Sequence, residues 1–258
     1  MIIVRALWGS QDYIINEIPK VPVFGNLEIV YVWGQSNYDY LKSLNYNCIL
    51  VNIYETESTF SNYLTHYNHK LKAFKLAGER YGEYLFLDWD MHIVKPLDAE
   101  FWKLVRSKPL QAPLYSYPIG YYEMIDEASK KEVDGWSSTL QTWIKTQMKE
   151  LSKYHYNLEN TQVTPNAGFF YDSTGKVGAD LLKISLEYNL ETCIEEYAMF
   201  IYSNCKTMDE YIEKHEPFVV YGRPDWSTHF KLNKVNSQII INNYLNTKIT
   251  KSIYLEHR

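Results

Sequence analysis

The most strand-like run in the chain is Tyr84-Leu85-Phe86-Leu87-Asp88-Trp89-Asp90. Its four apolar residues predict a buried strand that ends in an Asp-x-Asp pattern. Side chains alternate along a strand, so Asp88 and Asp90 are expected to face one cation together. Mg2+ and Mn2+ prefer oxygen ligands, and Mg2+ reaches phosphates through only one or two protein carboxylates. The run therefore predicts a metal–diphosphate site at a sheet edge, with a solvated turn as the alternative.

Strands and helices alternate around this run. The apolar patterns predict strands at residues 2–7, 27–33, 48–54 and 84–87, and helices at 38–44 and 62–81. Farther along, they predict a turn entering a short strand at 164–171, helices at 177–188 and 191–204, and a strand at 218–222. Such alternation is typical of a mostly parallel α/β sheet flanked by helices, which binds ligands beyond the carboxyl ends of its strands.

Composition excludes several classes of protein. The 258 residues carry a formal net charge of -5 and no basic block, so nucleic acid is not expected as a partner. The three cysteines, Cys48, Cys193 and Cys205, are widely spaced, which argues against a disulfide framework or a structural zinc site. Residues 1–5 read as a core strand rather than a signal peptide, and no apolar run is long enough to span a bilayer. We therefore expect a cytoplasmic protein without a transmembrane segment.

Three lysines, Lys70, Lys72 and Lys75, lie on the helix predicted before the Asp-x-Asp strand. For any one of them taken alone, a solvated helix face is the favoured interpretation. The alternative is that a lysine on this helix meets a diphosphate as a point charge.

Three later features are candidates for contact with a ligand. In Asn166-Ala167-Gly168, small residues allow close approach to the backbone and the amide suits sugar hydroxyls, although a plain turn is an equal alternative. Glu195 and Glu196 are adjacent on an otherwise apolar helix, so one is expected in a cleft while its neighbour faces solvent. Two solvated glutamates are the alternative. His229 is a candidate ligand for a divalent cation, but a lone histidine is weak evidence.

Taken in chain order, these motifs are more informative than any one of them. The order runs through Lys70-Leu71-Lys72, Asp88-Trp89-Asp90, Asn166-Ala167-Gly168, Glu195-Glu196 and His229-Phe230. It resembles the nucleotide-sugar glycosyltransferases of the glycogenin and galactinol-synthase type, which have the GT-A (Rossmann-like) fold. The resemblance spans roughly residues 1 to 231 and rests on motif order rather than close identity.

The resemblance implies a role for each matching position. Mn2+, or Mg2+, would be held by Asp88, Asp90 and His229. The nucleotide base would meet Leu7, Trp8 and Gly9, and the rest of the donor would contact Lys70, Asp88, Trp89, Asn166, Ala167, Gly168 and Lys231. Glu195 and Glu196 would lie near the anomeric carbon as the catalytic pair.

The chain also departs from the family. Glu195-Glu196 stands where the family has Asp-Gln, and the family's late Gly and Lys-Pro-Trp are absent, leaving Lys231 as a phosphate partner. Retention of the anomeric configuration, as in the family, is slightly favoured. The alternative is an inverting transfer in which Glu196 acts as the general base.

We expect one glycosyltransferase domain over residues 1–258, of which the resemblance covers roughly residues 1–231. Residues 1–90 would bind the nucleotide and 91–231 would bind the sugar and acceptor. Residues 232–258 carry no recognisable motif and are expected to form a tail, either a helix packed on the sheet or a membrane- or partner-facing end. The implied activity is hexosyl transfer from a nucleotide sugar, with a UDP-sugar favoured, to a glycan, protein or small-molecule hydroxyl. The alternatives are a non-catalytic sugar-nucleotide or glycan-binding module and a nucleotidyltransferase. The latter would usually show a Gly-rich basic loop after the first strand, which Trp8-Gly9-Ser10 lacks.

Overall fold

The fold was analysed in a computed structural model of the chain. The structure describes residues 1–9, 27–51, 67–89, 91–112, 165, 167–188, 194–205, 208–215, 221–222 and 254–257. Within these residues, no helix is long and apolar enough to cross a membrane.

A six-stranded sheet forms the centre of the described part of the chain. Its strands are β1 (Ile2–Leu7), β2 (Leu27–Trp33), β3 (Cys48–Val51), β4 (Tyr84–Leu87), β6 (Leu110–Gln111) and β7 (Phe169–Asp172), in the order β3-β2-β1-β4-β7-β6. The pairs among β1 to β4 are parallel, whereas β7 runs antiparallel to β4 and to β6. The predicted mostly parallel α/β sheet is therefore confirmed.

Six helices are described, most of them flanking the sheet. They are α1 (Gln35–Ser43), α2 (Tyr67–Tyr81), α3 (Ala99–Val105), α4 (Val177–Glu187), α5 (Ile194–Ser203) and α6 (Met208–His215). Helix α1 begins three residues before its predicted start, because Gly34 ends β2 in a left-handed conformation with φ of 93°. The sequence analysis did not predict the short elements α3, β6 and α6.

The strand order of the main sheet reverses beside β1. The chain moves from β1 to β2 and β3 on one side, and β4 lies on the other side of β1. The carboxyl ends of β1 and β4 are therefore neighbours at the point where the strand order reverses. Open α/β sheets bind their ligands at such a point. Trp8 and Gly9 follow the first of these strand ends, and Asp88 follows the second.

Helices α2 and α4 contact each other through glycines. A Cβ atom added to Gly78 would lie 2.0 Å from the carbonyl oxygen of Gly175, and one added to Gly178 would lie 2.5 Å from the carbonyl carbon of Phe74. Backbone packed this closely leaves no room for a side chain. The contact therefore fixes α2, which carries Lys70 in its first turn, against the rest of the domain.

The buried carboxylate of Asp172 connects the end of β7 to the start of α4. Oδ1 accepts hydrogen bonds from the backbone N–H groups of Thr174 and Gly175 at 2.8 and 2.9 Å, and also from the Thr174 hydroxyl. Oδ2 accepts from the N–H of Val177, the first residue of α4, at 2.9 Å. One side chain thus satisfies three backbone donors that would otherwise be buried and unpaired.

Replacing Asp172 with alanine should destabilise the protein by about 3 kcal/mol, because charged hydrogen bonds are lost and buried N–H groups are orphaned. Urea unfolding measures the loss. The matched control is Asp98→Ala, since Asp98 caps the exposed start of α3 by accepting from the N–H of Phe101 at 2.9 Å. The control should lose clearly less stability, and equal losses in the two variants would contradict the role given to Asp172.

A second, three-stranded sheet contains β5 (Met91–Ile93), β8 (Tyr221–Gly222) and β9 (Leu255–His257), with β9 in the middle. The N–H of Val94 adds a hydrogen bond to the carbonyl of Tyr254, and Leu255 is fully buried. The tail at 232–258 therefore contributes a strand at Leu255–His257, and the helix considered for the tail would fall on residues 232–253, which lie outside the described residues. Strand β9 pairs with β5, the segment that directly follows the Asp-x-Asp pattern.

Candidate active site

Three elements bring charged side chains together at the carboxyl edge of the main sheet. Lys70 lies in the first turn of α2, Asp88 follows β4, and Glu195 lies in the first turn of α5. The Nζ atom of Lys70 donates to the carboxylate of Asp88 at 2.8 Å and to Oε1 of Glu195 at 3.3 Å. Residues separated by more than a hundred positions in sequence thus share one ion-pair cluster.

Burial differs sharply within this cluster. Lys70 and Glu195 are each 4% exposed, whereas the side chain of Asp88 is 28% exposed. The Oε2 atom of Glu195 is buried and has no hydrogen-bond partner among the described residues. Asp88 is therefore the member that a ligand reaches from solvent, and Glu195 has an unused acceptor beside it.

The electrostatics keep Lys70 charged. Burial alone would lower the pKa of Lys70, but the carboxylates of Asp88 and Glu195, aided by Glu196, outweigh burial and raise that pKa above its usual range. Burial raises the pKa of Glu195, with the Lys70 cation opposing that rise. One ammonium thus faces three carboxylates, and this excess of negative charge suits a cationic ligand.

The main chain around Asp88 is fixed by groups that the sequence analysis missed. The buried guanidinium of Arg5 donates from Nη1 to the carbonyls of Asp88 at 2.6 Å and Met91 at 3.0 Å, and from Nε to Glu28. The N–H of Asp88 donates to the carbonyl of Gly168 at 2.8 Å. An arginine inside the apolar strand Ile2–Leu7 was the available signal, because a charge is rarely fully buried unless it is paired.

Trp8 and Gly9, the two residues after β1, are fixed in a similar way. Asn37 is 3% exposed, and its Nδ2 donates to the carbonyls of Gly9 at 3.1 Å and Trp33 at 3.0 Å. Trp8 is half-buried and makes an edge contact with His69, whose ring stacks on Trp33 at 4.7 Å. These contacts form an aromatic cluster beside Lys70. A polar residue on the inner face of α1 was the sequence signal for Asn37.

The predicted site residues fall into three groups. Lys70, Asp88 and Glu195 come into contact, Glu196 is half-buried and its charge acts on Lys70, and Gly168 bonds the main chain of Asp88. Leu7, Ala167 and Trp89 are buried, and the ring of Trp89 packs in the core under the guanidinium of Arg5. Outside the described residues lie Asn166, Asp90, His229 and Lys231.

Two of the three predicted metal ligands, Asp90 and His229, lie outside the described residues. Among the described residues, no three His, Cys, Asp or Glu side chains are arranged to hold a metal ion. Asp88 is the one predicted ligand that the structure describes. The ligand set of Asp88, Asp90 and His229 stays a prediction.

Comparison with known proteins gives matches at the level of structure. No family model and no curated protein matches the chain. An active-site variant of the galactosyltransferase LgtC is 11% identical with a TM-score of 0.50, and the match covers 100% of this chain and 86% of that one. GlyE from Streptococcus pneumoniae TIGR4 is 11% identical with a TM-score of 0.48, covering 99% and 53%. Mouse xyloside xylosyltransferase 1 is 8% identical with a TM-score of 0.44, covering 100% and 96%.

The chain has the GT-A glycosyltransferase fold. This statement rests on the match at a TM-score of 0.50 together with the observed sheet, and it concerns the fold alone. The GT-A fold predicted from motif order is thereby confirmed. The more specific likeness to the glycogenin and galactinol-synthase type stays a prediction.

Proposed function

We propose that the protein is a metal-dependent glycosyltransferase that moves a sugar from a nucleotide-diphospho-sugar to an acceptor hydroxyl. The observation that carries the proposal is the contact of Lys70, Asp88 and Glu195 at the reversal point of a GT-A sheet. Three of the predicted motifs, those that contain Lys70, Asp88 and Glu195, meet there although they come from distant parts of the chain. Ligands of open α/β sheets bind at this edge.

We assign the metal, Mn2+ or Mg2+, to Asp88, Asp90 and His229. The partly exposed carboxylate of Asp88 and the excess of negative charge around Lys70 fit a hard divalent cation. When bound, the metal would neutralise charge on the departing nucleoside diphosphate.

Strand register leaves His229 within reach of Asp90 along the chain. Gly222 of β8 and His92 of β5 both lie opposite Glu256 of β9. Strand β8 runs parallel to β9 and β5 runs antiparallel, so β8 ends where β5 begins, just after Asp90. His229 is seven positions beyond Gly222 in the sequence, a length of chain that spans up to about 25 Å when extended.

The rest of the donor is assigned to neighbouring positions. Leu7, Trp8 and Gly9 would meet the base, with the half-buried Trp8 ring offering an aromatic face. Lys70 and Lys231 would serve the diphosphate, while Trp89, Asn166, Ala167 and Gly168 would border the donor sugar. A UDP-sugar is favoured, and the acceptor is a glycan, a protein or a small molecule.

The catalytic positions are assigned to Glu195 and Glu196. Glu195 is buried against Lys70 and offers Oε2 as an acceptor of a hydrogen bond from the sugar. Glu196 is half-buried, as a group that meets the acceptor hydroxyl should be. We favour retention of configuration, with hexosyl transfer as the subclass. Glu196 as general base would instead give inversion.

The cellular location and domain extent belong to the same proposal. Cys48 and Cys205 are buried free thiols, which suits a reducing compartment such as the cytoplasm. A single domain over residues 1–258 is supported by β9, which joins residues 255–257 to β5 and β8.

A screen of nucleotide sugars, each with and without Mn2+, tests this function by thermal shift and by hydrolysis of the donor. We expect one UDP-sugar to stabilise the protein only with metal and to be hydrolysed slowly without an acceptor. Binding without any hydrolysis would instead indicate a non-catalytic module. If no nucleotide sugar binds under any metal condition, the proposed function is wrong.

A further inference from the structure

Lys70 forms an ion pair with Asp88, the carboxylate that would bind the proposed metal. Its ammonium lies 2.8 Å from the Asp88 carboxylate and 3.3 Å from Oε1 of Glu195. Its side chain is 5% exposed, so little water surrounds the charge. A metal arriving at Asp88 therefore meets a cation that is already paired with it.

Two cations on one carboxylate repel each other. A divalent ion binds a carboxylate oxygen at roughly 2.1 Å, which brings it close to an ammonium on the same group. The repulsion is strong because a buried site screens charge less than water does. Lys70 is also held by Glu195 and by the fixed helix α2, so it has little freedom to move away.

A nucleotide diphosphate removes this conflict. Its oxygens bind a divalent cation and also accept hydrogen bonds from a lysine ammonium. Diphosphate bound between the two cations thus lets both remain near Asp88. The metal and the nucleotide should therefore bind cooperatively, each raising the affinity for the other by the same factor.

We propose that Lys70 is a resident counter-ion of Asp88 that makes metal binding conditional on the nucleotide diphosphate. This inference rests on the proposed function, since it takes Asp88 as a metal ligand. It assigns Lys70 a role before the donor arrives, in addition to its contact with the donor. The metal then enters together with the nucleotide, and until then Asp88 stays paired with Lys70.

Direct measurement of Mn2+ binding by calorimetry, without and with saturating UDP, tests the inference. In the unmodified protein, UDP should tighten Mn2+ binding by about tenfold or more. Lys70→Met should bind Mn2+ alone about tenfold more tightly than the unmodified protein, and UDP should add less. Equal affinity of the two proteins for Mn2+ alone would overturn the inference.

Further variants keep the test decisive. Lys70→Met combined with Glu195→Gln removes one positive and one negative charge, so it avoids leaving Glu195 as a buried charge without its lysine. It should bind Mn2+ alone more tightly than Glu195→Gln does, because these two proteins differ only at Lys70, and equal affinity of the two would overturn the inference. Lys75→Gln removes a half-exposed lysine that pairs with Glu79 on the same helix, and it should leave Mn2+ binding unchanged.

The result separates this inference from the proposed function. Tight Mn2+ binding with UDP, together with no effect of either Lys70 variant, would overturn the role of Lys70 and leave the metal site standing. Absence of Mn2+ binding with UDP and with every other nucleotide tested, in all variants, would overturn the metal site and the inference together.

Discussion

Asp88→Asn should lower metal-dependent donor hydrolysis and transfer by about a thousandfold, because a metal ligand that stabilises the leaving group contributes several kcal/mol. Asparagine keeps the shape of the side chain but removes the charge that a hard cation requires. The main-chain bond from the N–H of Asp88 to Gly168 does not depend on the side chain, so the fold should persist. The measurement is kcat/KM with Mn2+ for the donor found in the nucleotide-sugar screen.

The control for Asp88→Asn is the same chemical change on α1. Asp39 is exposed and accepts a hydrogen bond from Gln35 at 2.7 Å, far from the ion-pair cluster in sequence. Asp39→Asn should leave kcat/KM unchanged. Full Mn2+-dependent activity in Asp88→Asn, with the fold intact, would refute the metal assignment and with it the proposed mechanism.

Gly78→Ala should destabilise the protein by about 3 kcal/mol because a new methyl group would overpack the contact between α2 and the turn that leads into α4. The prediction runs against helix propensity, by which alanine inside a helix is favoured over glycine by about 1 kcal/mol. Here the new Cβ would lie 2.0 Å from the carbonyl oxygen of Gly175, and backbone cannot rotate away as a flexible side chain does. Thermal unfolding should show a Tm lower by about 10 °C.

Gly82→Ala is the matched control for Gly78→Ala. Gly82 has φ of +70°, but a Cβ there would meet nothing within 4 Å. The control carries only the cost of a left-handed alanine, about 1 kcal/mol. A Gly78→Ala protein as stable as the unmodified one would show that the two helices separate freely. Lys70 would then lack the fixed helix on which the further inference depends.

The regular parts of the fold could be predicted from the sequence, and the reasons are physical. Strand β4 is a continuous apolar run, and β1 and β2 are apolar except at Arg5 and Glu28, as expected for largely buried strands. The bounds of the three strands are close to those predicted. Strand β9 has three residues and pairs only with distant segments, so periodicity gives no signal for it. Short elements of this kind depend on tertiary contacts rather than on local pattern.

The candidate site could be predicted only in part. The sequence pattern of the helix alone favoured the interpretation that Lys70 lies on a solvated face. In the structure Lys70 is only 4% exposed, because the carboxylates of Asp88 and Glu195 compensate its charge. The order of motifs along the chain carried the information that no single residue provided. Arg5 and Asn37 were missed because the groups that they fix near the site are backbone carbonyls, which are identical at every residue. A polar residue at an apolar position shows that a buried partner is needed, but it does not show which carbonyl is the partner.

The second sheet also has a consequence for how the protein opens. Its strands at residues 91–93, 221–222 and 255–257 have only two or three residues each, whereas β1 and β2 of the main sheet pair along six positions, so the second sheet has few backbone hydrogen bonds to hold it. Such a unit is expected to unfold by itself at a lower free energy than the main sheet. In that partially open state the amide of Val94 would exchange with solvent while the amide of Asp88 stays protected, and the chain after Asp88 would be released without loss of the core.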